Sequence, residues 1–194
     1  TPDIEKKDFM VERGDAYGLD FSLKYDSHKW YLWGAYSLGY VTRDYQNAEG
    51  EILTYRTHYD RRHNVNILAT YTAGSKNQWE LSARWNFGTG FPFTMVTGFY
   101  EELPYDNIYF DPYTESGNLG ILYDDLNTGQ LPTYHRLDID IKRKFYFTED
   151  VLLEANFGIT NVYDRHNIFY IDIVTAEKIY QLPMMPSLGL TLSF

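Results

Sequence analysis

The final stretch of the chain limits its possible folds more than any other. Residues 186–194 read PSLGLTLSF. In an extended strand successive side chains point to opposite faces. Leu188, Leu190, Leu192 and Phe194 therefore share one face, and the small residues between them share the other. This pattern predicts a terminal strand with one wholly apolar face and one small polar face.

The same alternation recurs along the chain and predicts an all-β fold. The segment 78–88 is the clearest, and in residues 30–43 the choice of apolar face stays open because both faces carry aromatics. The polar segments 44–58 and 88–132 are interpreted as connecting loops. The predicted strands lie at about residues 14–25, 30–43, 60–73, 78–88, 133–145, 151–162 and 186–194.

The polar faces of the predicted strands carry full charges. Asp138, Asp140, Lys142 and Lys144 alternate with Ile and Leu on one strand. Burying such groups in a dry core is costly unless they are paired. We therefore expect the polar face to enclose water and the apolar face to meet lipid, as in a transmembrane antiparallel β-barrel. The alternative is a tyrosine-rich soluble β-sandwich.

Strand length and composition favour the barrel. Each strand has about 11 patterned residues and would span roughly 25 Å of a bilayer when tilted. Short and long connections alternate, as in outer-membrane barrels. Aromatic residues make up 18% of the chain and cysteine is absent, while the net charge of −10 argues against a nucleic-acid partner. We expect the protein in the outer membrane of a Gram-negative bacterium.

The predicted number of strands is odd, whereas a single-chain bacterial barrel has an even number. A terminal strand that ends in the periplasm then places Thr1 on the extracellular side. The expectation is that the chain forms the C-terminal part of a larger barrel whose earlier strands are missing from this sequence.

Five motifs occur in order along the chain: YDRRHN at 59–64, GTGFPFT at 88–94, LPTYHRLD at 131–138, NVYDRHNIF at 161–169 and QLP…PSLG at 181–189. Taken together they resemble the C-terminal third of TonB-dependent outer-membrane receptors of the Bacteroidetes kind. The resemblance implies a barrel of about 22 strands, closed by an N-terminal plug domain that is absent here. It also implies energy-coupled uptake of a metal chelate, vitamin or oligosaccharide. The implied partners are TonB (through the plug), the barrel-assembly machinery and a surface lipoprotein.

The long connection after residue 88 is acidic and contains no Lys, Arg or His. It is a candidate extracellular loop for a cationic or metal-bearing ligand, or for Ca²⁺ held by carboxylate and carbonyl oxygens. The alternative is a solvated loop without a ligand. The acidic residues are Glu101, Glu102, Asp106, Asp111, Glu115, Asp124 and Asp125.

Several Trp and Tyr residues are candidates for anchors at the membrane–water interface. The last residue, Phe194, resembles the family's signal to the barrel-assembly machinery. The candidate interface aromatics are Trp30, Tyr31, Trp33, Trp79, Trp85 and Tyr146.

Catalysis has weak support in the sequence. Asp60 and His63 lie close together, and His135 lies near Asp138, but no nucleophile is set beside a base. We expect no catalytic residue, no metal ligand and no cofactor apart from the Ca²⁺ alternative. Two other functions stay open: a small self-contained barrel with a structural or adhesive role, and an outer-membrane hydrolase.

Overall fold

The described part of the protein is all-β. The structure is a computed structural model that describes residues 13–46, 50–103, 111, 114, 116–148 and 151–194. Within these ranges no helix is long and apolar enough to cross a membrane. The strands are β1 (Arg13–Asp26), β2 (Trp30–Gln46), β3 (Ile52–Arg56), β4 (His63–Ala73), β5 (Trp79–Gly88), β6 (Pro92–Phe93), β7 (Val96–Glu102), β8 (Asn118–Tyr123), β9 (Gly129–Gln130), β10 (Tyr134–Tyr146), β11 (Leu152–Thr160), β12 (Ile168–Ile171), β13 (Lys178–Tyr180) and β14 (Met185–Ser193).

The chain divides into two compact units. The sheet unit comprises residues 16–40, 60–91 and 131–194. The hairpin unit comprises the described residues of 1–15, 41–59 and 92–130.

The sheet unit is built on seven long strands in the order β1-β2-β4-β5-β10-β11-β14. Neighbouring strands follow one another along the chain and run antiparallel, which confirms the expected all-β antiparallel class. These strands overlap the seven segments predicted from the alternation. The path does not close into a barrel within the described residues.

The register of the strands places like side chains side by side. Ile139 lies opposite Ala83 on one neighbouring strand and Ile159 on the other. Residues one position along fall on the other face, where Asp140 lies opposite Ser82 and Gly158. The sheet therefore has a continuous apolar face and a continuous polar face.

The register also decides the open question in the second strand. Leu32 lies opposite Ala69, and Tyr36 lies opposite Val65. Both residues therefore lie on the apolar face of the sheet.

The sheet has no dry core. No apolar residue in the described ranges is fully buried. On β14, Leu188 is 75% exposed, Leu190 67% and Leu192 56%. The apolar face is thus left open rather than packed against a second layer.

The hairpin unit corrects two of the loop assignments. Residues 44–58 contain the end of β2 and all of β3, which pair from Thr42↔Arg56 to Gln46↔Ile52. Residues 88–132 contain the β7–β8 hairpin and the short β6–β9 pair. Sequence reasoning missed these strands because they are short, and in β7 and β8 a glycine also breaks the alternation.

Gly90 provides a test of how closely the chain packs at the end of the sheet. A Cβ at this position would overlap the backbone carbonyl of Leu131, whereas a Cβ at Gly34 would meet nothing within 4 Å. Because a backbone atom cannot swing aside, we expect Gly90→Ala to cost about 1–3 kcal/mol of unfolding free energy. Chemical denaturation measures the effect, with Gly34→Ala as the matched control. Equal midpoints for the two variants would contradict the packing described here.

Candidate functional site

Three sequence motifs that are far apart in the chain meet at one end of the sheet unit. The turn before β4 and the turn after β5 are joined by two hydrogen bonds. Thr89 N donates to His63 O at 3.0 Å, and His63 N donates to Thr89 Oγ1 at 3.1 Å. The turn after β5 is joined to the segment before β10 by Leu131 N, which donates to Phe91 O at 2.9 Å. These three motifs, which served in the sequence only to mark the family resemblance, thus form one structural junction.

Asp60 and Arg62 anchor the first of these turns. The Asp60 side chain is fully buried and forms an ion pair with Arg62 at 3.3 Å. The Arg62 guanidinium also lies 3.6 Å from the centroid of the Tyr40 ring. This geometry fixes the backbone at the start of β4. A buried, paired carboxylate of this kind is not available to a substrate.

Arg61 points to the other side of the same turn and is held by stacking. Its guanidinium carbon lies 4.2 Å from the Phe91 ring centroid and 5.5 Å from that of Tyr134. The Arg61 side chain passes directly over Gly88, so a Cβ at Gly88 would come within 2.7 Å of the guanidinium. Burial lowers the pKa of Arg61 below its ordinary value, and Tyr134 acts in the opposite direction. An arginine with so high an ordinary pKa still carries its full charge.

An open recess of about 340 Å³ lies on the polar face beside Arg61. It is lined by guanidinium, amide and phenol groups. Arg136 is one of them, and its charge is already paired, since Nη2 lies 2.9 Å from Asp138. Asn86 donates to Asn66 across the strands. The remaining lining residues are Asn64, Tyr134 and Gln181.

A second recess of about 390 Å³ lies further along the polar face. It has mixed charge, because Arg84 lies beside Asp138 and Asp140. Asn156 Nδ2 donates to Asp140 at 3.1 Å. The polar face therefore changes character from cationic near Arg61 to mixed near its centre.

The segment after β11 forms a cap on the same end of the sheet. Asn161 is fully buried and adopts φ 55°. Its amide donates to the carbonyls of Arg165 (3.0 Å) and Leu182 (3.2 Å), and its Oδ1 accepts from Arg165 N at 3.1 Å. Its own N–H donates to Asp138 at 3.0 Å. One asparagine side chain thus holds together two parts of a long connection.

A second buried asparagine fastens this cap to β10. Asn167 accepts from His135 N at 3.2 Å and donates to His135 O at 2.9 Å. His135 Nδ1 also shares a hydrogen bond of 2.7 Å with the Tyr163 hydroxyl, whose pKa is raised by burial. Sequence reasoning treated NVYDRHN as a marker without a role. The sequence signal for this structural role was the repeated Asn in the motif, because Asn side chains often hydrogen-bond backbone groups at turns.

The histidines examined for acid–base chemistry have other neighbours. His63 Nδ1 shares a hydrogen bond of 2.9 Å with Tyr36. His135 and Asp138 lie on opposite faces of β10, because they are an odd number of positions apart. The structure therefore does not bring His135 and Asp138 together.

The acidic residues of the long connection are spread over the hairpin unit. Glu101 and Glu102 lie at the end of β7, where Glu101 accepts from Gly117 N at 2.7 Å. Asp124 accepts from Thr128 Oγ1 at 3.1 Å in a turn that also contains Asp125. Among the described residues no group of three or more His, Cys, Asp or Glu is arranged to hold a metal ion.

Three other acidic candidates complete this set. Asp111 accepts from Thr114 Oγ1 at 2.9 Å. Asp106 and Glu115 lie outside the described residues.

The candidate interface aromatics fall on both faces of the sheet. Trp30, Trp79 and Trp85 lie on the apolar face. Tyr31 and Trp33 lie on the polar face, where Trp33 Nε1 donates to Ser22 at 3.2 Å. The remaining candidate, Tyr146, is exposed at the end of β10, and the proposed assembly signal, Phe194, is exposed after β14.

Comparisons with protein-family models, with curated proteins and with solved structures gave no match. Function must therefore be inferred from the geometry of the chain itself.

The Asn161 side chain gives a test of the cap. In Asn161→Asp the shape and the acceptor for Arg165 N are kept, but the carbonyls of Arg165 and Leu182 lose their donor. Each unsatisfied buried group costs about 1–3 kcal/mol. We expect faster amide hydrogen exchange across residues 161–184, measured by mass spectrometry.

Asn77→Asp is the control for this variant. Asn77 also has a positive φ, of 52°, but it lies exposed in a short turn. Unchanged exchange in Asn161→Asp, or an equal change in both variants, would contradict the role given to Asn161.

Proposed function

We propose that the chain is part of an outer-membrane β-barrel receptor that imports a scarce ligand, of the TonB-dependent kind that its motifs resemble. The observation that carries this proposal is the continuous, exposed apolar face of the sheet, set back to back with a charged polar face. A protein in water buries its apolar side chains. In a membrane barrel the arrangement is reversed, because lipid surrounds the outside and water fills the lumen.

The apolar face is continuous across six neighbouring strands. One cross-strand row, at the level of Ile141, contains no charged or strongly polar side chain. A bilayer tolerates such a surface, whereas water does not on this scale. The row runs Trp30, Tyr71, Leu81, Ile141, Phe157 and Leu188.

The charges of the polar face are paired across strands. Lys142 lies 3.3 Å from Glu80, and Lys144 lies 3.5 Å from Glu154. All four side chains keep about a third of their surface accessible, so they are hydrated as well as paired. This is the environment that a water-filled lumen provides.

Aromatic side chains mark one end of the apolar face. Trp30 packs against Tyr71 with ring centroids 4.6 Å apart. Nearby, Arg143 lies on the apolar face with its guanidinium 4.5 Å from the rings of both Trp79 and Phe145. Aromatic rings and a long basic side chain with its charge at the end are typical of the membrane–water interface.

The dimensions and connections of the sheet support the same proposal. Its seven long strands have 9 to 17 residues, enough to cross the roughly 25 Å apolar band of an outer membrane when tilted. The connections 27–29, 74–78 and 147–151 are short and lie at one end. The connections at the other end are long.

The open edges of the sheet favour a larger barrel over a small closed one. Every residue of β1 and of β14 is exposed. Because the number of strands is odd and their directions alternate, β1 and β14 run in the same direction. A barrel closed directly between them would therefore pair them in parallel. Bacterial outer-membrane barrels are antiparallel, and an unpaired edge is unfavourable in lipid. Additional strands between β1 and β14 satisfy both conditions.

Adjacent residues on the two faces test which side meets lipid. Ala83 lies at mid-strand on the apolar face, and Ser82 lies on the polar face opposite Asp140. In phospholipid vesicles we expect Ala83→Arg to lower the unfolding free energy by about 2–4 kcal/mol. Ser82→Arg places its charge beside Asp140 and is expected to be nearly neutral. The reverse ranking would mean that the apolar face does not meet lipid.

The terminal residue tests assembly separately from stability. Phe194 is 95% exposed, so its removal deletes almost no packing. We expect deletion of Phe194 to reduce the amount of protein assembled in the outer membrane, measured by the heat-modifiable band on a gel. Phe194→Tyr keeps the aromatic ring and is expected to assemble normally. Normal assembly of the deletion variant would count against recognition by the barrel-assembly machinery.

A further inference from the structure

Arg61 is a cation without a counter-ion among the described residues. Its side chain makes cation–π contacts with Phe91 and Tyr134, but no hydrogen bond or ion pair with any of those residues. Four other basic side chains of the sheet unit are paired with carboxylates: Arg62 with Asp60, Arg136 with Asp138, Lys142 with Glu80, and Lys144 with Glu154.

The recess beside Arg61 lacks a carboxylate of its own. Its described lining includes two arginines and three asparagines, and no Asp or Glu. The charge of Arg136 is offset by Asp138 at 2.9 Å. The charge of Arg61 is offset by nothing in the lining, so the recess attracts anions.

The position of Arg61 is fixed before any ligand arrives. The absence of a side chain at Gly88 leaves the space that the guanidinium occupies, and the rings of Phe91 and Tyr134 stack on it. Stacking holds the guanidinium plane without using its N–H groups as donors to the protein. A preorganised guanidinium loses less entropy when it binds a carboxylate or sulfate.

The amides of the recess suggest what else the ligand carries. Asn64 and Gln181 each present both donors and an acceptor. Hydroxyl groups need this combination, because each hydroxyl both donates and accepts. The recess volume of about 340 Å³ lies within the range of about 300–1,000 Å³ typical of small-molecule sites.

We propose that this recess binds an acidic saccharide, whose carboxylate or sulfate pairs with Arg61 and whose hydroxyls bond to the surrounding amides. The inference rests on the proposed function, in which the polar face is the side that meets the ligand. It narrows the ligand from any scarce nutrient to an anionic, hydroxyl-rich one.

Calorimetric titration of the purified protein in detergent tests this site. The probes are tetragalacturonate, its full methyl ester, and a sulfated tetrasaccharide from heparin. The ester keeps the size and the hydroxyls of the acid but removes its charge. We expect the acid or the sulfated probe, or both, to bind, and the ester to bind about tenfold more weakly than the acid if the acid is the better ligand.

Two variants and one control locate the binding. Arg61→Gln keeps hydrogen-bonding capacity but removes the charge, and Asn64→Asp adds a carboxylate to the recess. We expect each to weaken binding of the preferred anionic probe about tenfold or more. Arg84→Gln removes a charge from the other recess of the polar face and is expected to leave affinity within about twofold. If Arg61→Gln does not fold, Asn64→Asp decides the matter.

Each outcome of the titration has a defined meaning. Preference for the carboxylate or for the sulfate supports the site and identifies its anion. The site is overturned if no anionic probe binds, if tetragalacturonate is the better probe and its ester binds equally well, or if neither pocket variant weakens binding. The Ala83 and Ser82 variants report only on lipid contact, so failure of the proposed membrane location is distinguishable from failure of this site.

Discussion

Cross-strand register is the constraint on which the rest of this structure depends. Because the side-chain period of a strand is two, a slip of one residue in any pairing would turn that strand's apolar set to the other side. The register keeps Ile139 beside Ala83 and Asp140 beside Ser82. Each face is therefore predominantly of one kind, although no tightly packed core exists in the described residues to enforce it.

The two faces are held in place by different kinds of interaction. On the polar face, pairs such as Lys142–Glu80 span neighbouring strands, and each contributes little because it remains hydrated. On the apolar face the side chains are left exposed by the sheet itself. In the proposed membrane location a surrounding apolar medium would stabilise that face, while the hydrated ion pairs lie on the other face.

The alternation in the sequence was enough to predict the seven long strands and which residues share a face, because that pattern is local. It failed for β3, which has only five residues, and for the β7–β8 hairpin, where a glycine interrupts each short strand. It also gave no hint that Asn161 would be buried, since burial of that side chain depends on carbonyls at Arg165 and Leu182. The junction around Arg61 could not be predicted from the sequence for the same reason. Its parts come from motifs about 30 to 70 residues apart, and the sequence shows only the order of those motifs.

The junction explains the composition of the motifs that build it. Gly88 has no side chain because the Arg61 guanidinium occupies that space, and Gly90 has none because the Leu131 carbonyl does. Phe91 and Tyr134 supply rings rather than carboxylates, so the arginine is fixed without being neutralised. The adjacent Arg62, by contrast, is paired with the buried carboxylate of Asp60. A cation that is positioned by stacking and left unpaired keeps its capacity to bind an anion, and this difference between two adjacent arginines is the physical basis for assigning a ligand to one and an anchoring role to the other.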